Sequence, residues 1–185
     1  MGRFVVAFFT ACAALSVAGQ TLAQAPTPGA PAPTPAAPAS VPDQMPFDIP
    51  YGPAITADRA AKVVAIDVEE AKKSPRNWKL AIAVVDPNGD LVYFYKMDQT
   101  QVASIAIAQG KARTAARFRR PSGAFFTAMQ NPAGAFLATL DPTLVASHGG
   151  FPLIEGGKLI GAIGCSGATG DQDGVACKAG ADTVK

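Results

Sequence analysis

Residues 80–97 alternate in a way that predicts a β-hairpin. Leu80, Ile82 and Val84 point to one face of the first strand and Ala81, Ala83 and Val85 to the other, since strand side chains repeat every two residues. Both faces are apolar and one is small. That combination predicts a strand inside a sheet, with a helix packed closely on its alanine side. The run breaks at Pro87-Asn88-Gly89-Asp90, where Asn-Gly accepts the positive φ values of a tight turn cheaply. The chain returns as Leu91-Val92-Tyr93-Phe94-Tyr95-Lys96-Met97. After Asp98 the period becomes helical over residues 102–118, until Arg119-Arg120-Pro121 stops it by removing a backbone donor.

Upstream, Thr56 is placed to cap a helix over residues 57–72, with Ala57, Ala61, Val64, Val68 and Ala71 as its buried stripe. Asp67, Glu69, Glu70, Lys72 and Lys73 are expected on its solvent face. Downstream, residues 122–129 read as one or two turns of helix. Residues 131–142 lack a period, apart from a short helical piece near 136–140. A second hairpin follows, up over 151–154, round Gly156-Gly157 and back over 158–165. Gly167-Ala168-Thr169-Gly170 leads into a last helix, with Asp171 and Asp173 at its positive end. Hairpins alternating with helices predict an antiparallel sheet covered by helices, an α+β fold.

The N-terminal third has a different character. Met1-Gly2-Arg3 precedes an apolar run over residues 4–18, too short to cross a bilayer about 30 Å thick. Ala23-Gln24-Ala25 offers the small-x-small pattern of a signal-peptidase site. Residues 1–25 therefore read as a signal peptide, which makes the protein exported, periplasmic or secreted. Residues 26–53 hold ten of the sixteen prolines and read as a Pro/Ala-rich linker, although Met45, Phe47, Ile49 and Tyr51 would let its end lie on the domain surface. The folded domain occupies residues 54–185, long enough for one core.

Sixteen basic against fourteen acidic residues leave a net charge of +2, which gives no electrostatic reason to expect nucleic acid as a partner. Two cysteines, Cys165 and Cys177, remain once Cys12 leaves with the leader. In an exported chain such a pair points to a disulfide, worth about 3 kcal/mol for a loop of this size. Near-miss motifs do not mature into enzymes. Gly164-Cys165-Ser166-Gly167-Ala168 lacks the last glycine of a nucleophile elbow, and Gly157-Lys158 is followed by Leu159 where a phosphate loop needs a hydroxyl. The titratable groups are too sparse to assemble catalytic machinery, so no catalytic residue is assigned.

Three blocks, AVVDPNGDLVYFYKMD, SIAIAQGKARTAARFRRPS and GGFPLIEGGKLIGAIGCSGATGDQD, resemble the GlcG/HbpS-like family, which is related to the C-terminal domain of PduO. The resemblance spans residues 55–184. It implies a profilin-like sandwich with a sheet of about five strands, the extra one near the loop. It also implies a homo-oligomer and, because members are described as haem-binding, haem or another tetrapyrrole as ligand. His148, the only histidine, stands among glycines that would admit a flat macrocycle, which makes it the candidate iron ligand. Its alternative is an ordinary surface histidine. Lys111, Thr114, Arg120 and Ser122 match the family block K-A-x-T-A…R-P-[ST], with serine where threonine is usual, and are the further ligand candidates. Arg113 and Arg117 share a face with Arg120, and the negative end of the helix dipole accounts for them. Two functions follow: an exported haem-binding accessory protein, or a binder of another small anion or a partner-recognition subunit in a periplasmic oxidation pathway, using the Lys111 and Arg120 region.

Overall fold

A computed structural model describes residues 48–185. The expected signal peptide and most of the expected linker lie outside the described residues. Helix α1 (Ala57–Lys73) leads into strands β1 (Ala81–Val85) and β2 (Leu91–Lys96). Helices α2 (Ser104–Phe118) and α3 (Gly123–Met129) follow, then a 3-10 helix (Pro132–Thr139), strands β3 (Gly150–Glu155) and β4 (Lys158–Ser166), and helix α4 (Gly170–Ala181). The strands form one antiparallel sheet in the order β2-β1-β4-β3.

The sheet has four strands where five were expected. The irregular insert supplies no strand, because Asn131 caps a 3-10 helix that begins with Pro132. A partial substitute comes from the other end of the chain. Gly52 N–H donates to Leu159 O at 2.7 Å, Leu159 N–H to Pro50 O at 2.8 Å, and Ile55 N–H to Ile160 O at 2.8 Å. Residues 50–55 thus run beside β4 where β1 has ended, as a single parallel bridge that Pro50 and Pro53 keep from growing into a ladder.

The two faces of β1 behave as its alternation predicts. Leu80, Ile82 and Val84 join a core with Ala60, Val63, Val64 and Val68 of α1 and Ala176 of α4. Ala81, Ala83 and Val85 meet Ala108, Ala112, Ala115 and Ala116 of α2 on the opposite side. Small residues on both partners let α2 lie almost on the backbone of the sheet. Gly164 is the tightest point, since a Cβ there would overlap Ala108 O and come within 2.5 Å of Ala112 N. Gly164→Ala is expected to lower stability by about 3 kcal/mol, the upper range for forcing atoms into a filled interior. Urea unfolding checks this; a loss under about 1 kcal/mol would mean that α2 can simply slide away.

Both turns have a local cause. At the first, only Gly89 takes positive φ, at 96°. Asp86 Oδ1 organises the loop by accepting from the backbone N–H groups of Asn88, Gly89 and Asp90 at 2.8, 3.0 and 3.0 Å. At the second, Gly156 and Gly157 have φ of 53° and 76°, the pair of positive values that a two-residue hairpin needs.

Asp67 departs from its expected solvent position. The residue is fully buried, and its Oδ1 accepts from Gly180 N–H at 2.7 Å. Helix α1 faces α4 as well as the sheet, so its buried surface is wider than one apolar stripe. Ala57, at its first turn, is exposed instead. The Cys165–Cys177 disulfide ties β4 to α4 with Cα atoms 5.6 Å apart, within the ordinary span of such a bridge.

Candidate functional site

His148 sits just before β3, in a segment whose geometry is fixed from behind. Ser122 Oγ donates to Ser147 O at 2.5 Å and accepts from Gly150 N–H at 2.9 Å, while Ser122 N–H donates to Gly150 O. Thr114 Oγ1 accepts from Val145 N–H at 2.9 Å. Lys111 is 2 % exposed. Its ammonium donates to Asp173 Oδ2 at 2.8 Å and to Cys165 O at 3.0 Å. Gly149 lies against this pair at φ 109°, where a Cβ would stand 3.2 Å from Lys111 Nζ and 2.9 Å from Asp173 Cβ. Lys111, Thr114 and Ser122 are therefore brought together as a frame around residues 145–150, with their polar atoms engaged inside the protein.

Arg120 takes a different position. Its guanidinium carbon lies 4.4 Å from the centroid of the Phe125 ring, and desolvation there lowers its pKa from the ordinary arginine value. The other cations at the end of α2 also hold local structure. Arg113 Nε donates to Gly89 O at 3.3 Å, and Arg117 Nη1 to Asp141 Oδ2 at 3.0 Å. Arg119 adopts φ 53° at the helix C-cap and donates to Ile49 O at 2.9 Å.

His148 itself forms part of a cleft of about 510 Å³ between α3 and α4. Gly123, Ala124 and Thr127 line one side, and Asp171, Gly174, Val175 and Lys178 the other, with Gly149, Gly150 and Phe151 beside the imidazole. The volume falls within the range of small-molecule sites, about 300–1,000 Å³. Two contacts orient the ring. His148 Nδ1 lies 2.7 Å from Asp171 Oδ1, and the Phe126 ring meets it edge-on at 5.1 Å between centroids. Gly123 makes room, since a Cβ there would overlap His148 Cδ2 and stand 3.0 Å from Nε2.

These residues suit a metalloporphyrin. The imidazole supplies a nitrogen donor, Phe151 and Val175 supply apolar surface, and glycine backbone allows close approach. Lys178, at the rim, is paired with Asp182 at 2.5 and 2.7 Å, an exposed pair that a ligand carboxylate would have to displace. A second cleft of about 570 Å³ beside Tyr51, Asp86 and Asn88 includes Arg117, which Asp141 and Thr143 already engage. Sequence reasoning missed Asp171, Gly123, Val175 and Lys178 as parts of a site. Asp171 could be read only as a helix-dipole partner, because nothing in a linear sequence relates it to a histidine 23 positions earlier.

Comparison with known proteins agrees with this architecture. The chain is 38% identical to Protein GlcG of Escherichia coli over 112 residues, covering 60% of this chain and 81% of that one. A solved structure of a Streptomyces reticuli HbpS double mutant is 27% identical and matches with a TM-score of 0.65, covering 80% of this chain and 99% of the other. A solved PduOC:heme complex shares the fold at 22% identity and a TM-score of 0.65, over 71% of this chain and 96% of that one. A model of the family described as "Haem degrading protein HbpS-like" matches residues 55–182. The chain belongs to the HbpS-like family.

Proposed function

We propose that this protein is an exported haem- or tetrapyrrole-binding accessory protein whose ligand occupies the cleft between α3 and α4. The observation that carries the reading is the placement of the chain's only histidine in that cleft, with one ring nitrogen tied to a carboxylate. Family membership and the haem complex of a structural relative support the same ligand. In this reading His148 is the iron ligand, Lys178 exchanges its exposed Asp182 partner for a propionate, and Lys111, Thr114 and Ser122 keep the His148 segment rigid. Arg120 and Phe125 brace the base of α3. Bound iron would supply its own redox chemistry, and the protein would supply position and a largely apolar surround.

Export rests on the signal-like residues 1–25, and assembly as a homo-oligomer rests on family membership alone. Among the described residues no helix is long and apolar enough to cross a membrane. N-terminal sequencing of the protein from a Gram-negative host tests export, with cleavage after Ala25 expected. The alternative, a different small anion, loses its expected Lys111 contact, since that ammonium is buried against Asp173, and would draw on the same cleft instead.

Haemin titration of the full chain tests the binding claim. One equivalent is expected to give a saturating Soret shift, and His148→Ala to weaken the affinity at least about tenfold through loss of the iron ligand. Absence of any stoichiometric shift in the parent protein would end the haem reading. Stabilisation by a small organic acid, with no response to haemin, would favour the alternative.

A further inference from the structure

The geometry points to Asp171 as the positioning residue for His148, fixing the imidazole as its Nδ1–H tautomer and leaving Nε2 as the sole lone pair. An ionised carboxylate can only accept hydrogen bonds. With Asp171 Oδ1 at 2.7 Å, the proton of the neutral ring must therefore sit on Nδ1. Neutral imidazole in water prefers the opposite arrangement, with its proton on Nε2. Without Asp171 the nitrogen beside Gly123 would be mainly a donor, and an electron-pair acceptor would bind only at the cost of shifting the tautomer.

The placement of Asp171 is built into the fold. Thr169 and Gln172 close a capping box at the start of α4, each accepting from the other's backbone N–H. This holds the first turn against His148. The turn packs beside His148 at ordinary contact distance, since Cβ atoms built on Gly170 and Gly174 would lie 3.7 and 3.8 Å from His148 Cβ. The Asp171 side chain is 89% exposed, so its removal leaves the core intact.

The same geometry defines the class of ligand. Among the described residues the sole cluster of three potential metal ligands is Asp67, Cys165 and Cys177, which does not include His148. One imidazole nitrogen holds a bare ion poorly. It suits a metal that arrives with most of its coordination already filled and one position open, as in a metallated macrocycle. This last step rests on the haem-binding reading; the tautomer assignment does not.

Nitrogen-15 NMR of histidine-labelled full chain, free of haem, tests it at about pH 9, where imidazole is neutral. The parent protein is expected to show a protonated Nδ1 and an unprotonated Nε2. Asp171→Ala is expected to move the population towards Nε2–H while circular dichroism stays unchanged, and Asp171→Asn to fall between. Haemin affinity of Asp171→Ala should drop about 10-fold, the lower end of the effect of losing an orienting partner. A parent protein with its proton on Nε2, or an Asp171→Ala spectrum like the parent's, overturns the assignment. Failure of the parent to bind haemin would instead remove the proposed ligand and leave the tautomer result standing.

Discussion

Lys111→Met is expected to destabilise the protein by about 3–5 kcal/mol, because it leaves the Asp173 carboxylate buried without its cation. Both side chains are 2% exposed, so water cannot replace the lost partner. Ala168 N–H still donates to Asp173 Oδ1 at 2.9 Å and the Gly167 amide also acts on the carboxylate, but backbone amides do not neutralise a charge. Methionine keeps the length and apolar body of lysine, which separates the charge effect from a packing defect. Adding Asp173→Leu should recover much of the loss, since replacing a buried pair by apolar groups is often close to neutral. Urea denaturation of the two single variants and the double variant measures the coupling. A Lys111→Met loss below about 1 kcal/mol would show that the pair contributes little. Functionally, the single variant should also weaken haemin binding, because Gly149 packs directly against Lys111 Nζ and Asp173.

The second large effect is a dependence on pH through Asp67. Burial pushes its carboxyl up to about 8, only partly offset by the hydrogen bond from Gly180 N–H. Asp67 Oδ2 has no hydrogen-bond partner among the described residues. With the folded pKa above the unfolded one, the native state keeps a proton that the unfolded chain gives up. Stability contributed by this group is therefore complete below about pH 4 and falls as pH rises, levelling off above about pH 8. A difference of about four pKa units corresponds to roughly 5 kcal/mol across that window. Asp67→Asn removes the titration and keeps the shape. The difference in unfolding free energy between parent and variant should shift progressively in favour of asparagine from about pH 5 to about pH 8. Taking the difference cancels the remaining carboxylates. A flat curve would mean that the native state accommodates the Asp67 charge without penalty.

Several elements were legible because their cause is local. The alternation of residues 80–85 gave both the central position of β1 and the alanine contact with α2. Gly156-Gly157 marked the second turn, and Thr56 marked the start of α1 through its Oγ1, which accepts from Arg59 N–H. The pairing of Cys165 with Cys177 followed from their being the two cysteines of the folded part. What escaped depends on approach between distant segments. Asp67 reads as solvent-facing until Gly180, 113 positions later, is found to admit α4 against it. Lys111 reads as a ligand candidate until Asp173, 62 positions later, claims its ammonium. The end of the 26–53 linker reads only as able to lie on the domain surface, because composition cannot report that β1 stops short and leaves Leu159 and Ile160 unpaired on one side. The block containing Lys111, Thr114 and Ser122 lies behind residues 145–150, with its polar atoms turned inward. Read as ligand candidates, these residues instead brace the His148 segment in the structure.

The central claim is that ligand enters between α3 and α4 and meets His148. Backbone amide NMR of the full chain, with and without one equivalent of paramagnetic haemin, tests it most directly. The account predicts that signals of Gly123, His148, Gly150 and Gly174 broaden beyond detection, while those of Asn88, Tyr95 and Gly157 stay sharp. Broadening centred on Tyr51 and Asn88, with the Gly123 and Gly174 signals intact, would contradict it.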